Sequence, residues 1–579
     1  MHRGVPFKKL VEVEEAVMIV YKEIGGGLNE RILEEGVRDV KLEDLPGRLA
    51  GEDVYAPIPL PWYPKSLLDG CAVRSVDVAT ASKERPVELL HAGRVKIGHK
   101  PGRDLGEGEC IEVDTGSWLP RGADAVIPVE ELSFTDGRVI VEKSVEPGNG
   151  IAWPSTDVAS GDQVIERGRP FSPESIAALA ALGLDSAPAS RRVRVTVFST
   201  GVELADPGSL NVEPRSIESL PVTFDSNRAF IRASLESMGL EVRDAGIVGD
   251  SLEEAEEAIL RSAEEGADII ISSGGTSAGV DDTVFKAVGR LGKLLVHGIR
   301  IKPGKPTLLG VLPGNRLFIG LPGNPRSVIN VFYSVVLPLL SALSVIPSMP
   351  EKRFKAASTV MIVPSRGRRS NIPVASLGSG PLSVESFVPV AKESYMIASF
   401  AKADGYLVLG QEVNAPLRPG SMVEVSVNRP SRRTLLALTD TPKTQAWAPK
   451  FNVKVVYYPV LDPAPMIESL PTGALVALGL PGRLEPEQVR VSVVEEYARR
   501  VVVYHNRGSC ERIALYASYQ RYARNLQGIK ILSPRAETAK ILVEQGYVDC
   551  ALLPNDYEPR QYKREETIGE ENVYLAVRT

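Results

Sequence analysis

The sequence predicts a multidomain protein of α/β plus β class built around a doubly wound sheet, and three observations carry that expectation. The 579 residues exceed what one hydrophobic core sustains, roughly 250–300 residues. From residue 192 strand-like and helix-like segments alternate, the pattern of a mostly parallel sheet covered on both faces. On either side of that block the texture changes to short β-rich runs broken by Gly and Pro turns.

Taken in order, FKKLVEVEEAVMIVYKEI opens a segment, 7–40, whose apolar spacing predicts helix. Between 46 and 150, CAVRS, VELLHAG, CIEVDTGSW, ADAVIPVEEL and RVIVEKSV predict a compact β domain inserted into an N-terminal region spanning 1–190. SPESIAALAALGL (172–184) predicts a helix capped by Ser172 with Pro173 in its first turn. The α/β domain, 191–345, follows: strands 192–200, 241–248, 267–271 and 317–321, with helices 225–239, 251–265, 282–291 and 325–341. Residues 346–430 predict a small β-barrel, and NRPSRR (428–433) a linker. The remainder, 431–579, predicts a further α/β unit with strands in TLLALT, NVKVVYY, GALVALG, RVVVYHN and DCALLP and helices at 510–526 and 536–546.

Hydrophobic residues at 43%, charged residues at 24% and a net charge of −6 describe a globular protein without the basic surface that nonspecific nucleic-acid binding needs. The four cysteines are far apart and form no CxxC pair, so neither a zinc site nor a disulfide framework is expected, and a reducing cytoplasm is the natural compartment. The five histidines lack metal-ligand spacing and read as structural. VINVFYSVVLPLLSALSVI (328–346) is long enough to span a membrane, but it follows a Gly-Asn-Pro turn, contains Asn330 and Pro338 and closes a βαβ series, which predicts a buried helix and no membrane association.

An open α/β sheet binds ligands at the carboxyl ends of its strands, and four polar, glycine-containing loops fall there: STGVEL (199–204), SSGGTSAGVDD (272–282), IKPGKP (301–306) and LPGNPRS (321–327). In the second, Gly274, Gly275 and Gly279 let backbone approach a phosphate while Ser273, Thr276 and Ser277 donate to it. Asp281 and Asp282 then place carboxylates beside an anion, which implies a bridging divalent cation. Asp225 reads as the N-cap of its helix whatever else it does.

With STGVEL, DSN (225–227), SSGGTSAGVDD, IKPGKP and LPGNP in this order, residues 7–430 resemble the MoeA family of molybdopterin molybdenumtransferases, which includes gephyrin. SLLDGCAVRS (66–75) is similar to that family's MDGYAVR signature, DTGSWLPRGADAVIPVEE (114–131) to its TGAPLPEGADAVV segment, and PGNGIAWPSTDVASGD (147–162) to the segment closing the β domain. The resemblance implies an elongated subunit that forms a homodimer, with each active site shared between the α/β domain of one copy and the β domain of the other. It implies binding of adenylylated molybdopterin and molybdate or tungstate, with Mg2+-dependent hydrolysis that releases AMP. Asp69, Glu203 and Asp282 would hold the magnesium and the attacking water, with Asp157 as a further acidic contributor. Lys302, Lys305 and Ser327 would take the oxyanion, and Thr115, Asp225 and Asn227 would orient nucleotide or pterin. In the barrel, Arg366, Arg368 or Arg369 of SRGRR, and ESYMIAS (393–399), fall near where the family places an arginine and a serine against molybdate. Departures from the pattern include Val202 for an acidic residue of STGDEL and Cys71 for the Tyr of MDGYA; Cys71 reads as a buried free thiol.

Residues 434–579 resemble a periplasmic-binding-protein-like domain of the type also found in LysR substrate-binding regions, through VVYHNRGSCERIALY (502–516) and PRAETAKILVEQGYVDCALLP (534–554). On that reading, Asn506 to Ser509 and Thr439 to Thr441 offer groups to an oxyanion, against packing or regulation as the plain alternative. For the whole chain the competing readings are a molybdopterin adenylyltransferase, which shares the central fold, and a non-catalytic oxoanion sensor or scaffold.

Overall fold

A computed structural model describes residues 10–209, 223–276, 283–348, 353–377, 386–390, 396, 398–427, 434–439, 441–450, 453–458, 464–471, 474–481, 491–505, 510–516, 519, 526–527, 529–533, 535–544, 547–559, 562 and 564–578. The central domain is a six-stranded sheet in the spatial order Glu241–Val248, Arg194–Thr200, Ile269–Ser273, Arg316–Leu321, Leu308–Leu312, Lys293–His297. The first four run parallel, and their continuous apolar runs (Val195, Val197, Ile269 to Ile271, Leu317 to Ile319) are buried because helices cover both faces. The last two strands are antiparallel additions that the sequence pattern did not reveal.

The helices begin where the sequence places their caps. Ser172 and Ser251 each form a reciprocal capping box, with Ser175 and Glu254, and the Asp225 carboxylate accepts from the amides of Asn227 and Arg228; such caps contribute about 1 kcal/mol each. The apolar helix after LPGN runs Pro325–Ala342. By length and composition it could cross a membrane, but 67% of it is buried inside the fold, with Val328, Phe332, Val335 and Leu339 in the central core. Its middle turn, Phe332–Val336, is a π turn that ends one residue before Pro338, a residue that has no amide proton to continue the ladder.

The N-terminal segment is two helices, Val13–Ile24 and Gly27–Glu34, and it turns to strand at Arg38–Lys41 rather than staying helical to 40. The first helix lays Val13, Ala16, Val20 and Ile24 into the same core as Leu339 and Leu340, so this segment belongs by packing to the central domain. The inserted β domain is a six-stranded sheet in the order 125–128, 70–73, 109–113, 87–95, 138–141, 132–135. Strands 353–358, 369–376, 386–389, 405–409 and 422–427 close into the expected barrel through the extra pairing of 369–376 with 405–409.

Beyond the barrel lies one eight-stranded sheet. Parallel strands at 434–437, 454–457 and 475–481 form one half and parallel strands at 512–516, 529–533 and 550–554 the other, joined by the long antiparallel pair Val491–His505 and Arg564–Arg578. The expected helix at 510–526 is corrected: Arg512–Tyr516 is a strand, because its apolar run IALY is buried between two parallel neighbours rather than along one helix face. The expectation of no disulfide is also corrected, since Cys510 and Cys550, separated by 40 residues but with Cα atoms 5.5 Å apart, are bonded. The first half shares a core with the barrel: Leu436, Leu438, Val456 and Ile467 pack with Ala356, Phe387 and Leu407. An ion pair between half-buried Lys454 and buried Asp404, and the Thr434 hydroxyl donating to the Ser376 carbonyl (2.7 Å), tie the two further.

Candidate active site at the strand ends of the central sheet

Register aligns Ser199, Ser273 and Leu321 at the carboxyl ends of the three central strands, so their loops leave the sheet side by side. Gly274 and Gly275 then cross between neighbours with φ of 95° and 60°. A Cβ on Gly274 would collide with the Thr200 carbonyl, and one on Gly275 would lie 2.6 Å from Val284 Cγ2; no other residue follows that path without displacing the loop. The Gly274 amide donates to the Leu321 carbonyl at 3.0 Å. Asn227 staples the edge by donating to Ser273 Oγ (2.9 Å) and to the Gly323 carbonyl (2.7 Å).

Several polar groups here are buried and unspent. Ser199 Oγ, Thr200 Oγ1, Ser272 Oγ and Asp225 Oδ2 have no hydrogen-bond partner among the described residues, the last having only an ion-pair contact with Arg228 Nε at 3.7 Å. An unsatisfied buried group costs about 1–3 kcal/mol, and these stand together at the strand ends, Ser199 on one face of the sheet and Thr200 and Ser272 on the other. The three hydroxyls were missed by the sequence reading, although they lie inside the STG and SSGG motifs that signalled the site. Glu203 is exposed beside them, and the Val202 side chain is 83% exposed while its amide donates to Asp250 (3.1 Å). Ser277, Gly279 and Asp282 lie outside the described residues.

The cationic loop is fixed against the same edge. Gly304, at φ 121°, packs where a Cβ would strike Val331, and Asn330 donates to the Pro303 carbonyl, so the loop carrying Lys302 and Lys305 is held on the helix carrying buried Ser327. Lys302 is exposed and Lys305 half-buried. Ile301–Lys302 pairs in parallel with Arg369–Ser370 of the barrel, which brings SRGRR alongside. Arg369 is engaged by Glu14 at 2.7 Å, whereas Arg366 stands exposed on the preceding turn. In ESYMIAS, residues 393–395 and 397 lie outside the described residues.

The other predicted residues form a second group in the β domain. Asp69 accepts from the Thr115 amide at 2.6 Å; that bond, seconded by the Thr115 hydroxyl, holds the Asp69 carboxyl below the usual aspartate range. Asp157 is exposed, placed by its amide donating to the Leu60 carbonyl (3.0 Å). Among the described residues, the hydrogen bonds of Asp69, Thr115 and Asp157 stay within the β domain and reach none of the strand-end loops. Cys71 is the buried free thiol expected, pushed far up by its hydrogen bond with Cys110 and by burial.

Residues 11–183 match the MoeA N-terminal region (domains I and II), residues 196–342 a probable molybdopterin binding domain, and residues 355–427 the MoeA C-terminal region (domain IV). A molybdopterin molybdenumtransferase of Haemophilus influenzae is 31% identical over 64% of this chain and 89% of its own length. The chain belongs to the MoeA family. Molybdopterin molybdenumtransferase 2 of Mycobacterium tuberculosis is likewise 31% identical, over 66% of this chain and 95% of its own. The crystal structure of a MoeA molybdopterin biosynthesis protein from Pyrococcus horikoshii superposes with a TM-score of 0.54 at 25% identity, covering 72% of this chain and all of that one.

In this MoeA-family chain the one His/Cys/Asp/Glu group drawn close together, among the described residues, is His505 with Cys510 and Cys550, far from the strand-end loops in sequence, and its two sulfurs are spent in their disulfide rather than available to a metal ion. The carboxylates Asp69, Asp157 and Glu203 of a single chain do not gather into such a group. Their hard oxygen donors suit magnesium, but Asp69 and Asp157 belong to the β domain and Glu203 to the loop after strand Arg194–Thr200.

Proposed function

We infer that this chain is a molybdopterin molybdenumtransferase of molybdenum cofactor biosynthesis, and propose that its substrates are adenylylated molybdopterin and molybdate or tungstate. The single observation that carries the reading is that buried unspent hydroxyls, the close-packed Gly274–Gly275 turn and the Lys302/Lys305 loop all lie at one sheet edge, which suits phosphate and a tetrahedral oxyanion together. The matched β domain and barrel favour metal insertion over adenylyl transfer, since the latter would need the central domain alone.

In the proposed reaction water attacks the phosphoanhydride, the bridging P–O bond breaks and AMP leaves, after which the metal passes to the dithiolene sulfurs. Ser199, Thr200 and Ser272 orient phosphate oxygens, and Lys302 and Lys305 balance the charge of the oxyanion beside Ser327. Asp69, kept ionised by Thr115, positions the attacking water. Glu203 and Asp282 with Asp69 would hold magnesium, which would supply charge neutralisation at the anhydride. Because Asp69 and Glu203 stand on different domains and do not gather into one group in a single copy, the site is proposed to be assembled across a homodimer. In the C-terminal region, two parallel half-sheets joined by a long ribbon support a two-lobed, periplasmic-binding-protein-like reading.

Single-turnover conversion of adenylylated molybdopterin with magnesium and either oxyanion tests the reading, which is lost if AMP is not released or no metal is inserted. Mixing inactive Asp69→Ala and Glu203→Ala copies tests the shared site. Random exchange gives half heterodimers, each with one intact site, so about a quarter of wild-type activity returns; no recovery places both residues in one copy's site.

A further inference from the structure

Three of the chain's four tryptophans, Trp62, Trp118 and Trp153, belong to one small part of the β domain, and two of them are open to solvent: Trp62 is 56% exposed and Trp153 40%. The segments that carry them are laced together. Lys65–Ser66 pairs with Ile151–Ala152, Lys65 bridges Trp118, and the Leu119 amide donates to the Pro64 carbonyl at 2.9 Å. Tyr63 and Trp118 stack face to face, 4.2 Å apart and 7° from parallel, and Trp62 stands edge-on to both at 4.9 and 5.4 Å. Lys100 places its ammonium 5.4 Å from the Trp118 ring. The same segments lead directly into Asp69, Thr115 and Asp157.

A fixed aromatic face of this size is costly to leave in water, and its chemistry is specific: it offers a π-surface to a flat ring, with the Lys100 ammonium beside it for an attached phosphate. We propose that this aromatic platform binds a planar heteroaromatic ring of the phosphorylated substrate, adenine or pterin, and so sets where the anhydride lies relative to Asp69. The inference rests on the insertion reading above and deepens it. Stacking on an aromatic side chain tolerates any flat ring, so the platform supplies affinity, and the polar groups at the strand ends supply the rest.

Tryptophan emission of the full chain reads the platform directly, because Trp447, the fourth tryptophan, is buried in the C-terminal region and serves as internal reference. AMP, a free pterin and inorganic pyrophosphate are titrated separately. Quenching by AMP alone assigns the platform to adenine, quenching by the pterin alone assigns it to the pterin, and pyrophosphate leaves the emission unchanged. Trp62→Ala, at an exposed position, weakens binding of the quenching ring by roughly 5- to 100-fold, and Trp118→Leu does the same; both raise KM for adenylylated molybdopterin with kcat little changed. Should Trp118→Leu unfold the β domain, Trp62→Ala still decides. The inference is overturned if neither ring quenches while metal insertion proceeds, if quenching is equal in wild type and Trp62→Ala, or if Trp62→Ala instead only dissociates the dimer. Quenching without any insertion would leave the platform standing and remove the enzymatic reading.

Discussion

Two regions of this molecule present loops at the ends of parallel strands, and they use their polar groups in opposite ways. At the edge of the central sheet Ser199, Thr200, Ser272 and one oxygen of Asp225 are buried without hydrogen bonds among the described residues. After the first C-terminal strand, Thr439 accepts from Arg499 Nη2 at 3.0 Å, and Arg499 is locked to Glu571 (2.8 Å), which also accepts from Tyr519 (2.7 Å). Arg499 and Glu571 are each 1% exposed. Thr441 is likewise engaged, accepting from the Lys443 amide. Thr439 and Thr441 were expected to face an oxyanion; their hydroxyls hold the protein together instead, and Asn506 to Ser509 lie outside the described residues. Motif and strand position alone do not single out a binding edge; polar groups left unspent there favour the central one for that role.

The largest effect that would break this contrast comes from the glycines. Gly274→Ala forces the loop away from Thr200, and single-turnover metal insertion should fall about a hundredfold or more, the penalty expected when reacting groups are displaced by an ångström. Thermal unfolding of the C-terminal region should not move. If insertion persists, the strand-end loop is a scaffold and the unspent hydroxyls are incidental.

Glu571→Gln attacks the spent network. It leaves Arg499 with a weakened partner in a dry interior, a change of the kind that costs about 3–5 kcal/mol, and should lower the C-terminal unfolding transition measured by calorimetry while insertion stays within about twofold. An equal loss of insertion would mean that the two regions work as one site. The Cys510–Cys550 bond has a smaller expected effect. Closing a loop of 40 residues stabilises by about 2–4 kcal/mol in the chain-entropy picture, so Cys510→Ser with Cys550→Ser should lower the same transition by less, again sparing insertion.

How far the sequence reached differs between these regions for a physical reason. In the central domain local signals and tertiary outcome agree: Ser172, Ser251 and Asp225 cap the helices they appear to cap, and Gly274 and Gly275 take positive φ where the anion loop was read. In the C-terminal region the deciding interactions are non-local. Cys510 meets Cys550 across 40 residues, and RIALY at 512–516 is short enough to read as helix until two parallel strands enclose it. The split of the candidate site, with Asp69 in one domain and Glu203 in another, was legible only through family resemblance. The platform of Trp62, Tyr63 and Trp118 was not legible at all, since nothing in an adjacent Trp-Tyr pair and a distant tryptophan announces that strand pairing will bring them together.

The finest test concerns Asp69, because it asks whether the β-domain half of the site is tuned by backbone or by side chain. The Thr115 amide is the foremost cause of the lowered Asp69 carboxyl, the Thr115 hydroxyl the next and the Arg94 charge a lesser one, with burial opposing. A depressed carboxyl keeps its charge as pH falls, and that charge is lost only on passing through the folded-state value, so the acid limb of insertion activity should lie below the ordinary aspartate range. Thr115→Ala removes the hydroxyl but keeps the amide. The acid limb should therefore move up only part of the way, and pH profiles of single-turnover insertion should show it still below that of a free aspartate. A limb that returns fully to the ordinary range would make the hydroxyl the controlling group. A limb that does not move would assign the tuning to the amide.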